Sequence, residues 1–202
     1  MSSTPTTDKS APEAYKPSET ALLLLDWYSL FVEKVAGPNA VPALEKAVQL
    51  RNWAQHQGIP IVHCLIDSNG TPFAACKGVE RFSGLLEVMK ATTDPEPIEL
   101  RGNEKDEPTF HRVPGHLSAL KSPGLLDYLK EKGIKSIIIS GLSTSGCVLR
   151  TALAVTDAEF ALTVISDACA DADEELHRVI TEKIIPSRGH VKSLVELKES
   201  FE

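Results

Sequence analysis

Residues 135–151 read KSIIISGLSTSGCVLRT and combine an apolar strand, a turn of small residues and a cysteine. The strand is predicted over residues 136–140, and Cys147 then opens a run that is compatible with a helix. A thiol at a helix N-terminus lies near unpaired N–H groups, which stabilise a thiolate and can receive an oxyanion. Cys147 is therefore either a nucleophile or, as most free cysteines are, a small buried apolar residue.

On both sides of residues 135–151, continuous apolar runs alternate with segments of helical periodicity. Strands are predicted over residues 21–26, 59–67, 108–112, 136–140, 161–166 and 190–191, and helices over residues 41–57, 85–90, 124–132, 146–158, 173–185 and 193–198. Apolar strands without period-2 alternation need cover on both faces, and the intervening helices can provide it. The sequence therefore predicts an α/β fold with a doubly wound, mostly parallel sheet and helices on both faces.

The length of 202 residues suits one substantial core, so we expect one domain over residues 20–202. Residues 1–19 are rich in Ser, Thr and Pro with little to bury, and we predict a disordered or loosely attached arm there. Four dispersed cysteines without CxxC pairs favour a reducing compartment. With neither a secretory signal nor a membrane span in the sequence, we expect a cytoplasmic protein.

The net charge of -7, without basic runs, argues against nucleic acid or an anionic membrane as a partner. No spacing of His, Cys or Asp suits a metal ion, and no glycine-rich phosphate loop is present. We therefore predict no metal and no cofactor.

Three chemically useful side chains are predicted to meet at the carboxyl edge of the sheet, where such folds bind ligands. Asp26 ends the first strand, Arg112 ends the third, and Cys147 follows the fourth. A carboxylate after an apolar strand is partly desolvated and can accept a proton from a thiol, although a capping role for Asp26 is equally compatible. His111 and His116 flank Arg112 and are candidates for the site.

The remaining histidines are interpreted as structural, with His63 on the second strand as a core or rim residue.

Four stretches of the chain resemble the isochorismatase-like cysteine hydrolases. They are LLLLDWYSLF at residues 22–31, EPTFHR at residues 107–112, SGLSTSGCVLRTA at residues 140–152 and VISDACADADEELH at residues 164–177. The most specific string, G-x-x-T-x-x-C-V-x-x-T-A, is matched by Gly141, Thr144, Cys147, Val148, Thr151 and Ala152. The resemblance implies a three-layer, Rossmann-like sheet and a Cys-Asp-Lys triad that hydrolyses a carbonyl substrate through a thioester. It makes Cys147 the nucleophile and Asp26 the base, with an oxyanion hole at the N–H groups of Ser143 and Cys147. A cis peptide bond is implied at 142–143.

The chain departs from this pattern at Arg112, where the family has lysine. Arginine can hold the Asp26 charge or the substrate, but it cannot shuttle a proton. Glu159 also stands where a glycine often precedes the fifth strand. The D-x-H metal motif of nicotinamidases is absent after the second strand, and isochorismatases that split a vinyl ether lack the cysteine.

These features favour hydrolysis of a small amide-type C–N substrate. Two alternatives stay open: a vinyl ether hydrolase that uses Asp26, and a non-catalytic relative that binds a small molecule or a protein. Trp27 and Tyr28, which follow Asp26, are candidate pocket walls together with His111 and His116, although a core or interface role is equally compatible for the first two. Oligomers are usual in the family, so we expect a homo-oligomer.

Overall fold

The computed structural model describes residues 8–92, 95–103 and 105–201. The strands are β1 (Thr20–Leu25), β2 (Ile61–Ile66), β3 (Thr109–Arg112), β4 (Ser136–Leu142), β5 (Ala161–Ala170) and β6 (His190–Lys192). The helices are α1 (Ser29–Lys34), α2 (Ala40–Gln57), α3 (Val79–Lys90), α4 (Leu125–Glu131), α5 (Leu149–Asp157), α6 (Glu174–Val179) and α7 (Leu194–Ser200).

Within the described residues the six strands form one sheet in the order β3-β2-β1-β4-β5-β6, and all neighbouring pairs are parallel. The predicted α/β class is confirmed, and the sheet is parallel throughout these residues rather than only for the most part. The chain first winds outward from β1 to β3 and then in the opposite direction from β4 to β6. The switch in direction lies between β1 and β4, and sheets of this kind bind ligands at the carboxyl ends of the strands beside such a switch.

The core consists of two layers of apolar side chains, one on each face of the sheet. Leu22 and Leu24 of β1 pack toward α1, α2, α3 and α7, whereas Leu23 and Leu25 pack toward α4 and α5. All six residues of β1 are buried. Burial on both faces explains why the strand has no alternating pattern in the sequence.

Several element boundaries differ from the predicted ones. α1 was not predicted, α3 begins at Val79 instead of residue 85, and β5 continues to Ala170 instead of ending at residue 166. The predicted helix over residues 146–158 begins as a π-helical turn, Thr144–Val148, before α5. The predicted helix over residues 173–185 is α6 followed by a second π-helical turn, Ile180–Ile184.

Two backbone positions agree with the sequence patterns. Gly133 after α4 has φ 71°, as a left-handed helix cap requires. Glu159, where the family often has glycine, has φ 67° and so occupies the backbone region that glycine adopts without strain. Glu159 thus adopts, in the turn before β5, a conformation that few non-glycine residues adopt.

The predicted N-terminal arm is described from Asp8 onward, where it forms two 3-10 turns, Pro12–Ala14 and Pro17–Glu19. The first turn contacts β4 and β5, and Glu19 pairs with Lys135 at 2.5 Å. Residues 1–7 lie outside the described part of the chain, and the division into an arm and a domain stays a prediction. In the part of the chain that the structure describes, no helix is long and apolar enough to cross a membrane.

Candidate active site

Asp26 lies directly after β1 at the switch point of the sheet. Its φ is 51°, in the left-handed region that aspartate tolerates better than most residues, and its main-chain N–H donates to the Cys64 carbonyl at 2.9 Å. The residue is only 3% exposed. The local turn therefore places a carboxylate at the carboxyl edge while keeping it out of bulk water.

Arg112, the last residue of β3, holds this carboxylate with two hydrogen bonds. Nη1 donates to Asp26 Oδ1 at 2.8 Å and Nη2 donates to Oδ2 at 2.5 Å, while Nε donates to the His116 carbonyl at 2.9 Å. Burial alone would lower the pKa of Arg112, but the neighbouring Asp26 carboxylate outweighs it and raises the pKa above its ordinary value. The guanidinium therefore stays charged and buried, with a donor facing each partner.

Cys147 lies in the π-helical turn between β4 and α5 and is 2% exposed. The Asp26 carboxylate lies close enough to the thiol to affect its pKa, and Sγ is 3.7 Å from Thr151 Oγ1. The peptide bond Leu142–Ser143 is cis, as the resemblance implied. The structure thus brings together Cys147, Asp26 and Arg112, the three residues predicted from strand ends far apart in sequence.

The protonation of Cys147 differs from the expectation. Burial raises the pKa of the thiol well above its ordinary value, and the Asp26 charge raises it further, while Arg112 opposes the shift. In addition, α5 begins only at Leu149, so the sulfur does not cap a regular helix. The raised pKa therefore favours a neutral thiol over a thiolate at rest, beside a carboxylate that can accept its proton.

The turn that carries Cys147 is fixed by residues that the sequence did not single out. Asp171, at the end of β5, accepts a hydrogen bond from the Ser145 main-chain N–H at 2.7 Å. Thr144 Oγ1 and His177 Nδ1 are 2.8 Å apart. Asp171 directly follows β5, as Asp26 follows β1, but the predicted end of this strand at residue 166 hid its position.

The four predicted pocket residues occupy different surroundings. Trp27 is completely buried in the core on the α1 and α2 side of the sheet. Tyr28 is also buried and hydrogen-bonds through its hydroxyl to the backbone of Ile66, yet together with His111 it lines a cavity of about 230 Å³ at the edge of β2 and β3. The centroid of the His116 ring is 5.1 Å from that of the Phe73 ring, and the main-chain carbonyl of His116 accepts from Arg112. Two of the four therefore bond to the Cys147–Asp26–Arg112 group through the main chain: the His116 carbonyl accepts from Arg112, and the Tyr28 N–H donates to the Asp26 carbonyl at 2.7 Å.

A buried charge cluster lies beside this site on β2. His63, interpreted as a core or rim residue, is 1% exposed and bonds through Nδ1 to Glu96 at 2.8 Å and through Nε2 to Glu107 at 3.2 Å. Arg51 donates two hydrogen bonds to Glu107, at 2.8 and 2.6 Å. Burial opposes a charge on His63, but the bonds to Glu107 and Glu96 outweigh it and raise the pKa to about 9.

Among the described residues, no group of three or more His, Cys, Asp or Glu side chains is arranged to hold a metal ion.

The family model for the Isochorismatase domain matches residues 20–194, so the chain belongs to the isochorismatase family.

Three solved structures show the same fold at low identity. A cysteine hydrolase from Pseudomonas syringae pv. phaseolicola is 17% identical, with a TM-score of 0.79 over 93% of this chain and 94% of that one. N-carbamoylsarcosine amidase from Thermoplasma acidophilum is 17% identical, with a TM-score of 0.67 over 87% and 96%. The YcaC gene product from Escherichia coli, described as an octameric hydrolase of unknown specificity, is 19% identical, with a TM-score of 0.68 over 91% and 79%.

Removal of the Arg112 charge is expected to destabilise the fold strongly. Arg112→Met leaves the buried Asp26 carboxylate without its partner, and the free energy of unfolding should fall by about 3–5 kcal/mol. The double variant Asp26→Asn with Arg112→Met removes the uncompensated charge and should recover part of the loss. Urea denaturation of the three proteins measures this. A double variant that is no more stable than Arg112→Met would contradict the assignment of the loss to an unpaired charge.

The His63 cluster predicts that stability declines at alkaline pH. Because the folded-state pKa of about 9 lies above the ordinary value of 6.5, the stabilisation is fully present below pH 6.5 and is lost as the pH rises through 9. The free energy of unfolding should therefore drop by roughly 3 kcal/mol across this window.

The matched control for this pH dependence is His63→Gln, measured by urea denaturation over the same range. Buried thiols and other groups titrate alike in both proteins, so the difference between the two curves isolates His63. The difference should shrink steadily toward high pH, and a constant difference would contradict the prediction.

Proposed function

We propose that this protein hydrolyses a small amide-type C–N substrate through a thioester at Cys147. The observation that carries the proposal is the placement of the Cys147 thiol beside the Asp26 carboxylate, which Arg112 holds with two hydrogen bonds. A nucleophile, a proton acceptor and an orienting cation within hydrogen-bonding reach of one another form the arrangement that nucleophilic catalysis requires. Family membership and the fold shared with an amidase and a cysteine hydrolase support the same reaction class.

Acylation begins with transfer of the thiol proton from Cys147 to Asp26 as the sulfur attacks the carbonyl carbon of the substrate. The carbonyl oxygen becomes an oxyanion, which the resemblance assigns to the N–H groups of Ser143 and Cys147. The protonated Asp26 then gives its proton to the leaving nitrogen as the C–N bond breaks. An amine departs and a thioester remains on Cys147.

Deacylation uses the same carboxylate in reverse order. Asp26 takes a proton from a water molecule as the water oxygen attacks the thioester carbonyl, and the C–S bond breaks with return of the proton to sulfur. The products are a carboxylic acid and the free thiol. Because the buried Arg112 remains charged, it orients and stabilises Asp26 throughout and transfers no proton.

A non-catalytic relative is the second candidate, and two observations favour it. Burial raises the pKa of the thiol, and each oxygen of Asp26 accepts a hydrogen bond from Arg112, which makes the carboxylate a weaker base. In that case the buried pair is retained for the shape of a binding site and the sulfur is inert. The third candidate, a vinyl ether hydrolase, would use Asp26 without Cys147.

A panel of small amides separates these candidates. The wild-type protein should release amine and form a trapped acyl adduct on Cys147, detected by intact mass and peptide mapping. Cys147→Ala should lower turnover by at least about 10³-fold because it removes the nucleophile. Cys76→Ala is the matched control, since Cys76 is a half-buried thiol whose sulfur contacts Lys77 instead of the catalytic group.

Turnover of an amide that survives Cys147→Ala would contradict the thioester mechanism. Hydrolysis of isochorismate that survives the same substitution would instead support the vinyl ether alternative. Absence of both turnover and adduct with the wild-type protein would favour the non-catalytic relative.

We further propose that the protein is a homo-oligomer with a small-molecule substrate and a cytoplasmic location. The octameric assembly belongs to the YcaC gene product, and the shared fold makes a comparable assembly of this chain a reasonable expectation. Light scattering coupled to size-exclusion chromatography measures the mass in solution. We expect a multiple of 21.9 kDa, and a mass of one chain would contradict the proposed assembly.

A further inference from the structure

We propose that Thr151 is an additional catalytic residue, whose hydroxyl donates a hydrogen bond to the Cys147 sulfur as it becomes a thiolate. This inference rests on the proposed function. Thr151 lies one helical turn after Cys147 and is completely buried, with its Oγ1 3.7 Å from Sγ. The distance alone does not show which of the two groups is the donor. The donor is assigned from the other hydrogen bonds of each group.

The neighbouring bonds assign the donor. The Ala119 main-chain N–H donates to Thr151 Oγ1 at 2.9 Å, so this bond uses the hydroxyl oxygen as an acceptor. Hydrogen bonding to Asp26 raises the pKa of the Cys147 thiol, as a bond from the thiol to an acceptor does, whereas hydrogen bonding to Thr151 lowers it, as a bond from a donor to the sulfur does. The hydroxyl hydrogen of Thr151 is therefore the proton that lies between Oγ1 and Sγ.

The same hydroxyl also connects the catalytic cysteine to the segment that follows Arg112. Arg112 Nε donates to the His116 carbonyl, and three residues later Ala119 donates to Thr151. The contacts connect in a ring: Cys147 lies beside Asp26, Asp26 pairs with Arg112, and the loop after Arg112 contacts Cys147 through Thr151. A displacement of any member would alter the distance between the sulfur and its base.

The chemical effect of this donor appears when charge develops on the sulfur. A hydrogen bond to an anion is about twice as strong as one between neutral groups, and burial of Thr151 keeps water from replacing it. The donor therefore stabilises the thiolate more than the resting thiol, which lowers the barrier to attack. It also offsets part of the cost of ionising a sulfur in a buried site.

Alkylation of Cys147 by acrylamide tests this role without knowledge of the substrate. The second-order rate is measured between about pH 7 and pH 9 by peptide mapping in the wild-type protein, in Thr151→Val, which keeps the shape of the side chain, and in Thr151→Ser, which keeps the hydroxyl. Thr151→Ala replaces the valine variant if that variant does not fold, and Cys147→Ala identifies the modified peptide.

We expect alkylation of Thr151→Val to be about tenfold slower at every pH, with an unchanged slope of the logarithm of the rate against pH. Thr151→Ser should stay within about twofold of the wild-type rate.

If Thr151 served only to hold Ala119, its loss would loosen the turn, and the sulfur would react as fast as in the wild type or faster. That result would overturn this inference and leave the proposed function intact. Failure of the wild-type Cys147 to react at all would instead overturn the proposed function, and this inference with it.

Discussion

The ion pair between Asp26 and Arg112 is the interaction on which the site depends. Both side chains are almost completely buried, and the two N–H groups on one edge of the guanidinium match the two oxygens of the carboxylate. An unpaired charge at this depth would be costly, so each residue requires the other. Since Asp26 ends β1 and Arg112 ends β3, the pair also connects the centre of the sheet to its edge across β2.

Arginine in place of the family lysine changes what this pair can do. A lysine can give up its proton when it is buried, whereas the Arg112 guanidinium remains charged. In the proposed reaction, therefore, only the Cys147 thiol and the Asp26 carboxylate carry protons. A single proton passes between these two groups, the substrate and water. The raised pKa of the Cys147 thiol is consistent with this, because the thiol then holds the proton that Asp26 later delivers to the substrate.

The sequence predicted the sheet and the meeting of Asp26, Arg112 and Cys147, because apolar strands end visibly and parallel strands share a carboxyl edge. It did not predict α1, whose six residues are too few for helical periodicity to show. It did not predict the raised pKa of the Cys147 thiol, since the exposure of a residue and its proximity to a carboxylate arise only in the folded chain. The sequence also could not show the hydrogen bonds of Thr151 with Ala119 and of His63 with Glu96, because they join segments that are distant in sequence.

The charge cluster at His63 helps to determine where Arg112 lies. His63 on β2 bonds to Glu107, and its main-chain N–H donates to the carbonyl of Pro108 at 3.0 Å, immediately before β3 begins. These contacts fix the entry of β3 against β2, and four residues later the strand delivers the guanidinium to Asp26. Because a parallel strand that slips by one residue turns its side chains to the opposite face, the register set at Pro108 decides whether Arg112 or His111 faces the carboxylate. The buried cluster thus helps to position the Asp26–Arg112 pair, although none of its members touches the sulfur in the described contacts.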